Sequence, residues 1–187
     1  MNQINRSLEE QRKEFAKGKF LATPLSGLLI WFIIGASGLF LPDNYVVWIL
    51  FIGTGSIVYL ALLLSKFTGE DFLDKTKPTN DFDKLFMFTV FQAVLVYAIA
   101  IPFFIIDYTS LPLAVGILTG TMWFPFSWIV KHWIGVFHAI TRTVLVLMLW
   151  YLFPEDRFVV IPFAIVVVYL ITLFILNNRY KAINNTK

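Results

Sequence analysis

The chain has 187 residues, a formal net charge of +3, and 58% hydrophobic against only 14% charged residues. Soluble domains carry about 25% charged residues and disordered chains combine low hydrophobicity with high net charge, so both classes are excluded. With no Cys and only 10 Gly, disulfide scaffolds and collagen-like chains fall away too.

Residues 1–19 mix acidic and basic side chains. Ser7 and Glu10 stand at capping-box spacing, and Ile4, Leu8 and Phe15 lie roughly along one helical face. The segment is predicted to be an amphipathic helix lying at the cytoplasmic membrane interface. The apolar stretch that follows is too long for a cleaved signal peptide.

Six stretches then reach the roughly 20 apolar residues that a spanning helix needs. They are 20–41, 45–65, 85–106, 111–130, 133–153 and 158–176. The expected fold class is all-α: a polytopic membrane protein with six transmembrane helices over 20–176 and a cytoplasmic tail over 177–187. The connections 42–44, 107–110 and 154–157 are short and carry Pro or Asp, which favour tight reversal. Three antiparallel hairpins follow, with all three turns on one side. Thirteen of the 15 Lys and Arg residues fall on the other side, in the N-terminal segment, the 66–84 loop, at Lys131 and in the tail. Such residues are retained in the cytoplasm, so both termini are expected there.

The 66–84 loop alternates Lys with Asp and Glu and reads as solvated, with Asn80 and Asp83 capping the third helix. In that helix Thr89 and Gln92 are three apart and share a face. The fourth span has Gly116 and Gly120 at the spacing of close helix contacts. Its Pro125 is expected to kink the helix and free a carbonyl near Thr121. Thr119, Trp123 and Ser127 fall on one face there. Trp128, Lys131, His132 and Trp133 form an interfacial belt.

The fifth span holds His138 and Arg142, four residues apart and therefore on one face. Gly135 and Ala139 lie on that face too, so it should point into the bundle. No Asp or Glu lies inside any span. Arg142 is thus an intramembrane cation with no acidic partner of its own, a functional-site hypothesis by default. Two readings stay open: Arg142 satisfied by backbone or interface, or Arg142 holding an anion or lipid phosphate. The sixth span is almost wholly apolar and is expected to face lipid.

His132 and His138 are six apart and point in different directions, so no metal is expected. No phosphate-binding glycine loop, HExxH, GxSxG or catalytic Cys occurs. No cofactor, no nucleic acid and no catalytic residue is expected, and the chain reads as a non-enzyme.

Several short patterns recur together. They are Phe15-Ala-Lys-Gly18, a first helix with Trp31 and Gly27, Phe51-Ile-Gly-Thr-Gly55, Gln92, Leu118-Thr-Gly120, and Trp123-Phe-Pro-Phe-Ser-Trp128. In these the chain resembles a family of small bacterial six-helix membrane proteins of unknown function, most of its length through the fourth helix being covered. The family has no established activity, so the resemblance carries no catalytic residues over.

The functional expectation is a small binding or transport protein of the bacterial inner (plasma) membrane. Its site would lie between the third, fourth and fifth helices. Arg142 would hold an anionic ligand or lipid headgroup, His138 would tune or relay a proton, Gln92 and Thr89 would orient the ligand, and Trp123 would wall it. Bound lipids, a homo-oligomer and a membrane partner are the expected associations. The alternative is a structural or accessory subunit with no ligand of its own.

Overall fold

The computed structural model describes residues 6–185 apart from 75 and 77. Ile4, Lys75, Lys77 and Lys187 lie outside the described residues. The described residues are all-helical. Helix α1 covers Leu8–Ala16, α2 Ala22–Phe40, α3 Asp43–Thr68, α4 Asp81–Leu95, α5 Tyr97–Ile106, α6 Ser110–Leu118, α7 Trp123–Val130, α8 Ile134–Leu152 and α9 Arg157–Asn185. A 3₁₀ turn, Thr119–Met122, joins α6 to α7. Taken with their connections, α2, α3, α4–α5, α6–α7, α8 and α9 give six helices long and apolar enough to cross a membrane. Their outer surface is apolar, with Phe32, Trp48, Ile52, Phe88, Leu95, Ile106 and Phe174 all exposed. In water such a surface would be untenable, whereas in lipid it is the solvated face.

Side-chain contacts fix the two ends of the bundle. At one end Arg12 donates to the Ile129 carbonyl at 3.2 Å and Lys19 to the Thr68 carbonyl at 2.9 Å. There the Glu70 carboxylate also accepts from the Leu21 and Ala22 amides, and Arg179 donates to the Ala16 carbonyl. This end gathers α1, the end of α3 with Glu70, the α7–α8 junction and the last turns of α9. At the other end the short turns meet. Tyr108 donates to Asp43 at 3.2 Å, Arg157 donates to Thr109, and Tyr108 stacks on Phe158.

Helix α1 begins where the sequence places it. Ser7 Oγ accepts from the Glu10 amide and Glu10 accepts from the Ser7 amide, which completes a capping box. Leu8 and Phe15, expected along one face, differ in burial. Phe15 is buried against Phe20 and Phe86, whereas Leu8 is exposed. The helix therefore docks on the end of the bundle. Arg12 is clamped by Glu9 at 2.6 Å, and that hydrogen bond holds the Glu9 carboxyl down at about 2. A depressed carboxyl stabilises the fold above its free value of 4.5 and stops doing so as pH falls towards 2. Protection of the α1 amides, taken as exchange relative to the unstructured rate at each pH, is expected to fall across that window. In Glu9→Gln it should already be low at pH 7. Unchanged exchange in the variant would mean the clamp does not hold the helix.

The core is built by α2, α9, α8 and the α6–α7 pair, while α4–α5 packs at the periphery. Glycines permit the closest approaches. A Cβ at Gly38 would stand 2.7 Å from the Phe158 carbonyl oxygen, and one at Gly35 would stand 3.2 Å from Phe163 and Pro162. The α2–α9 contact thus depends on missing side chains, as dispersion-driven packing in lipid requires. Helix α9 is not a lipid-facing rod. It buries Ile161, Ile165, Val168, Tyr169, Thr172 and Leu176, because its inward face packs on both α2 and α8. Two spans are also broken. The third parts at Val96. The fourth leaves α geometry before Pro125, not at it. Pro125 then falls in the first turn of α7, where its missing N–H costs nothing.

Candidate functional site

Helix α8 carries His138 and Arg142 inward, as their spacing with Gly135 and Ala139 dictates. His138 is 0% and Arg142 1% exposed. The Arg142 guanidinium forks. Nη1 donates to the Tyr169 hydroxyl at 3.2 Å and Nη2 to Thr119 Oγ1 at 2.8 Å. Thr119 passes its own proton to the Val115 carbonyl at 2.6 Å, so it meets Arg142 as an acceptor. The guanidinium carbon lies 5.2 Å from the Trp31 ring centroid and 5.6 Å from that of Tyr169. Two aromatic faces therefore supply part of the attraction that a carboxylate would give. Among the described residues no carboxylate lies within 4.0 Å of it. The stem rests on Gly120, where a Cβ would come within 3.1 Å of Cδ. That close approach is made possible by the 3₁₀ turn and by the glycine at its second position.

His138 stacks on Trp123 with 4.4 Å between centroids and meets Tyr169 edge-on at 4.7 Å. Its Nδ1 pairs with Thr172 Oγ1 at 2.8 Å. Thr172 gives its proton to the Val168 carbonyl, also at 2.8 Å. This places the imidazole hydrogen on Nδ1 and leaves a lone pair on Nε2. Tyr169 ties the two halves together. It is seated against Gly27, whose absent Cβ would lie 2.5 Å from the ring.

The hydrogen-bond balance of this cluster is one-sided. Trp31 Nε1, Trp123 Nε1, Arg142 Nε and His138 Nε2 are all buried with no partner among the described residues. Three of these are N–H donors: Arg142 Nε belongs to the cation itself, the Trp31 ring lies beside it, and Trp123 stacks on the neighbouring His138. Buried polar groups are paired in the great majority of cases. A cluster of unpaired donors around a cation is short of a negatively charged acceptor. Below it, Phe20, Phe86, Met122, Trp123 and Phe126 line an apolar crevice of about 10 Å³, room for one water. Two of its lining residues, Phe20 and Phe86, also pack against Phe15 of α1.

The residues expected from sequence separate into two sets. His138, Arg142 and Trp123 come together, and Thr119 joins them. Gln92 is exposed on α4 and does not reach the cluster. Thr89 is buried, but its hydroxyl donates to the Phe86 carbonyl of its own helix at 2.7 Å. Ser127 donates to the His132 carbonyl and closes the α7–α8 junction. The walls are therefore α2, α6–α7, α8 and α9: the fourth and fifth spans take part as expected, and the first and sixth stand where the third was expected. Trp31, Tyr169 and Thr172 are the members that the sequence reading missed. Tyr169 and Thr172 had a visible signal, two hydroxyls three residues apart in an otherwise apolar helix.

A protein-family profile matches residues 8–179, all but the two ends of the chain, and its description is a family of unknown function, DUF7010. No curated protein matches. No solved structure matches. With six membrane-length helices and a profile that runs from α1 to the last turns of α9, the chain belongs to the DUF7010 family of unknown function.

Proposed function

We propose that this protein is a membrane-embedded binding protein for a small anion, which sits at the Arg142 centre between α2, α6–α7, α8 and α9. One observation carries the reading: a fully buried guanidinium with no carboxylate beside it, among indole and guanidinium N–H groups that lack acceptors. An anion would supply both the missing charge and the missing acceptor. The depth of the centre favours a small inorganic anion over a lipid headgroup, which would need a lateral opening. The His138 lone pair is placed to take a proton together with the anion. Binding, not catalysis, is the role. The membrane is a bacterial inner membrane, and the basic end that carries α1 and the tail faces the cytoplasm.

Trp31 and Trp123 make the test direct. The protein is held in a buffer whose anion is gluconate and titrated with chloride, nitrate or phosphate while tryptophan emission is read. A saturable change is expected, together with a rise in unfolding temperature. At 100 times Kd the added stability is about 2.7 kcal/mol. Both effects should vanish in Arg142→Met. A wild-type protein indifferent to all three anions would remove the reading.

A second reading has its own observation. Both terminal nitrogens of Arg142 already have protein partners, Tyr169 and Thr119. Arg142 would then be a lock joining α6, α8 and α9 in a structural or accessory subunit. In that case Arg142→Met lowers stability by the same amount with and without added anion.

A further inference from the structure

At the end where the short turns meet, α3 and α5 touch through side chains, Phe51 against Tyr97 and Phe104. Helix α3 packs along α2, and α5 along α6. Between them lies a groove of about 520 Å³. Trp48, Phe51, Phe104 and Tyr108 give it aromatic walls, and Asp43 lines it with them. Phe51 lies 6.4 Å from Trp48 and 5.4 Å from Phe104, centroid to centroid. The Tyr108 hydroxyl donates to Asp43 at 3.2 Å. No Lys or Arg lines the groove. Arg157, the cation of this end, is committed elsewhere. It donates to Thr109 and to the Trp150 carbonyl, and it sits 4.0 Å over the Trp150 ring. Among the described residues Asp43 has no cationic partner within 4.0 Å.

The start of α3 accounts for an acidic residue at position 43, because the helix dipole favours negative charge there. It does not account for four aromatic rings gathered beside that carboxylate. Ring faces attract cations, most strongly where water is scarce. The volume falls in the range of small-molecule sites, about 300–1,000 Å³. We propose that this groove binds a lipophilic organic cation, its charge held by Asp43 and its apolar body held against Trp48, Phe51 and Phe104. The ligand chemistry is opposite in sign to that of the Arg142 centre, and the two sites stand independently.

The experiment uses the full chain in phosphatidylcholine nanodiscs with tritiated tetraphenylphosphonium as probe. Tetraphenylborate, nearly the same shape with opposite charge, is assayed in separate samples, because the two ions pair with each other. Saturable binding of the cation is expected, with little binding of the borate. Asp43→Asn keeps the side-chain volume at an exposed first-turn position and is expected to weaken binding at least tenfold. Trp48→Ala should weaken it comparably. Equal binding in Asp43→Asn, or equal saturable binding of tetraphenylborate, would overturn the proposal and leave a gap filled by lipid chains.

Discussion

Gly135→Ala is expected to destabilise the bundle by about 1–3 kcal/mol, towards the upper end of what overpacking costs. A Cβ on Gly135 would stand 2.3 Å from the Trp123 carbonyl oxygen, 2.7 Å from Ser127 Cβ and 3.0 Å from the Ser127 amide nitrogen. Two of these three atoms are backbone, so no rotamer change relieves the clash. Helices α7 and α8 must separate. Because Trp123 stacks on His138, the separation also opens the Arg142 centre. The control is Gly55→Ala in α3, where a Cβ meets nothing within 4 Å. That change should be neutral or mildly stabilising, since Ala is the better helix former by roughly 0.5–1 kcal/mol. Thermal unfolding in detergent micelles, read by tryptophan emission, compares the two. Equal unfolding temperatures for both variants would mean that α7 and α8 are not in backbone contact.

Arg142 is expected to give an inverted series. Arg142→Lys keeps the charge but has no planar fork, so it cannot serve Tyr169 and Thr119 together. Each hydrogen bond to a charged group is worth about 1.5–3 kcal/mol, and a buried ammonium short of partners adds its own desolvation cost. Arg142→Met removes the bonds and the buried charge at the same time. Replacing buried ions by apolar groups of similar volume is often neutral or stabilising. In gluconate buffer, with no small anion present, the conservative Lys variant should therefore be the less stable of the two. The order reverses if the positive charge itself holds the helices together. Added chloride or phosphate should raise the unfolding temperature of the wild-type protein and leave that of Arg142→Met unchanged.

The membrane class was legible from sequence because it depends on local quantities. Twenty apolar residues in a row have few stable fates, and the turn residues at 42, 107 and 154 set where the chain reverses. The inward face of α8 was legible for the same reason: Gly135, His138, Ala139 and Arg142 repeat at helical spacing. Ser7 and Asn80 announced the helix starts that they cap, and both do so. Depth was misleading as a guide to neighbours. Gln92 and Arg142 sit at similar distances along their spans, yet α4 lies at the rim and Gln92 is exposed. Depth along a helix fixes one coordinate, and adjacency needs the rotation of each helix and the order in which helices surround one another.

Taken alone, the sequence determined that the chain is helical and membrane-sized, and that a guanidinium and an imidazole share one helical face with no carboxylate in any span. Only the tertiary structure decided which helices enclose them. It set α9 and α2 against α8, turned Tyr169 and Thr172 inward and drew the Trp31 ring over Arg142. The physical reason is that lipid and a packed interior are almost equally apolar. Hydropathy cannot tell which side of an apolar helix is buried, and that choice falls to small residues such as Gly27, Gly35 and Gly38, where missing side chains let another helix come close.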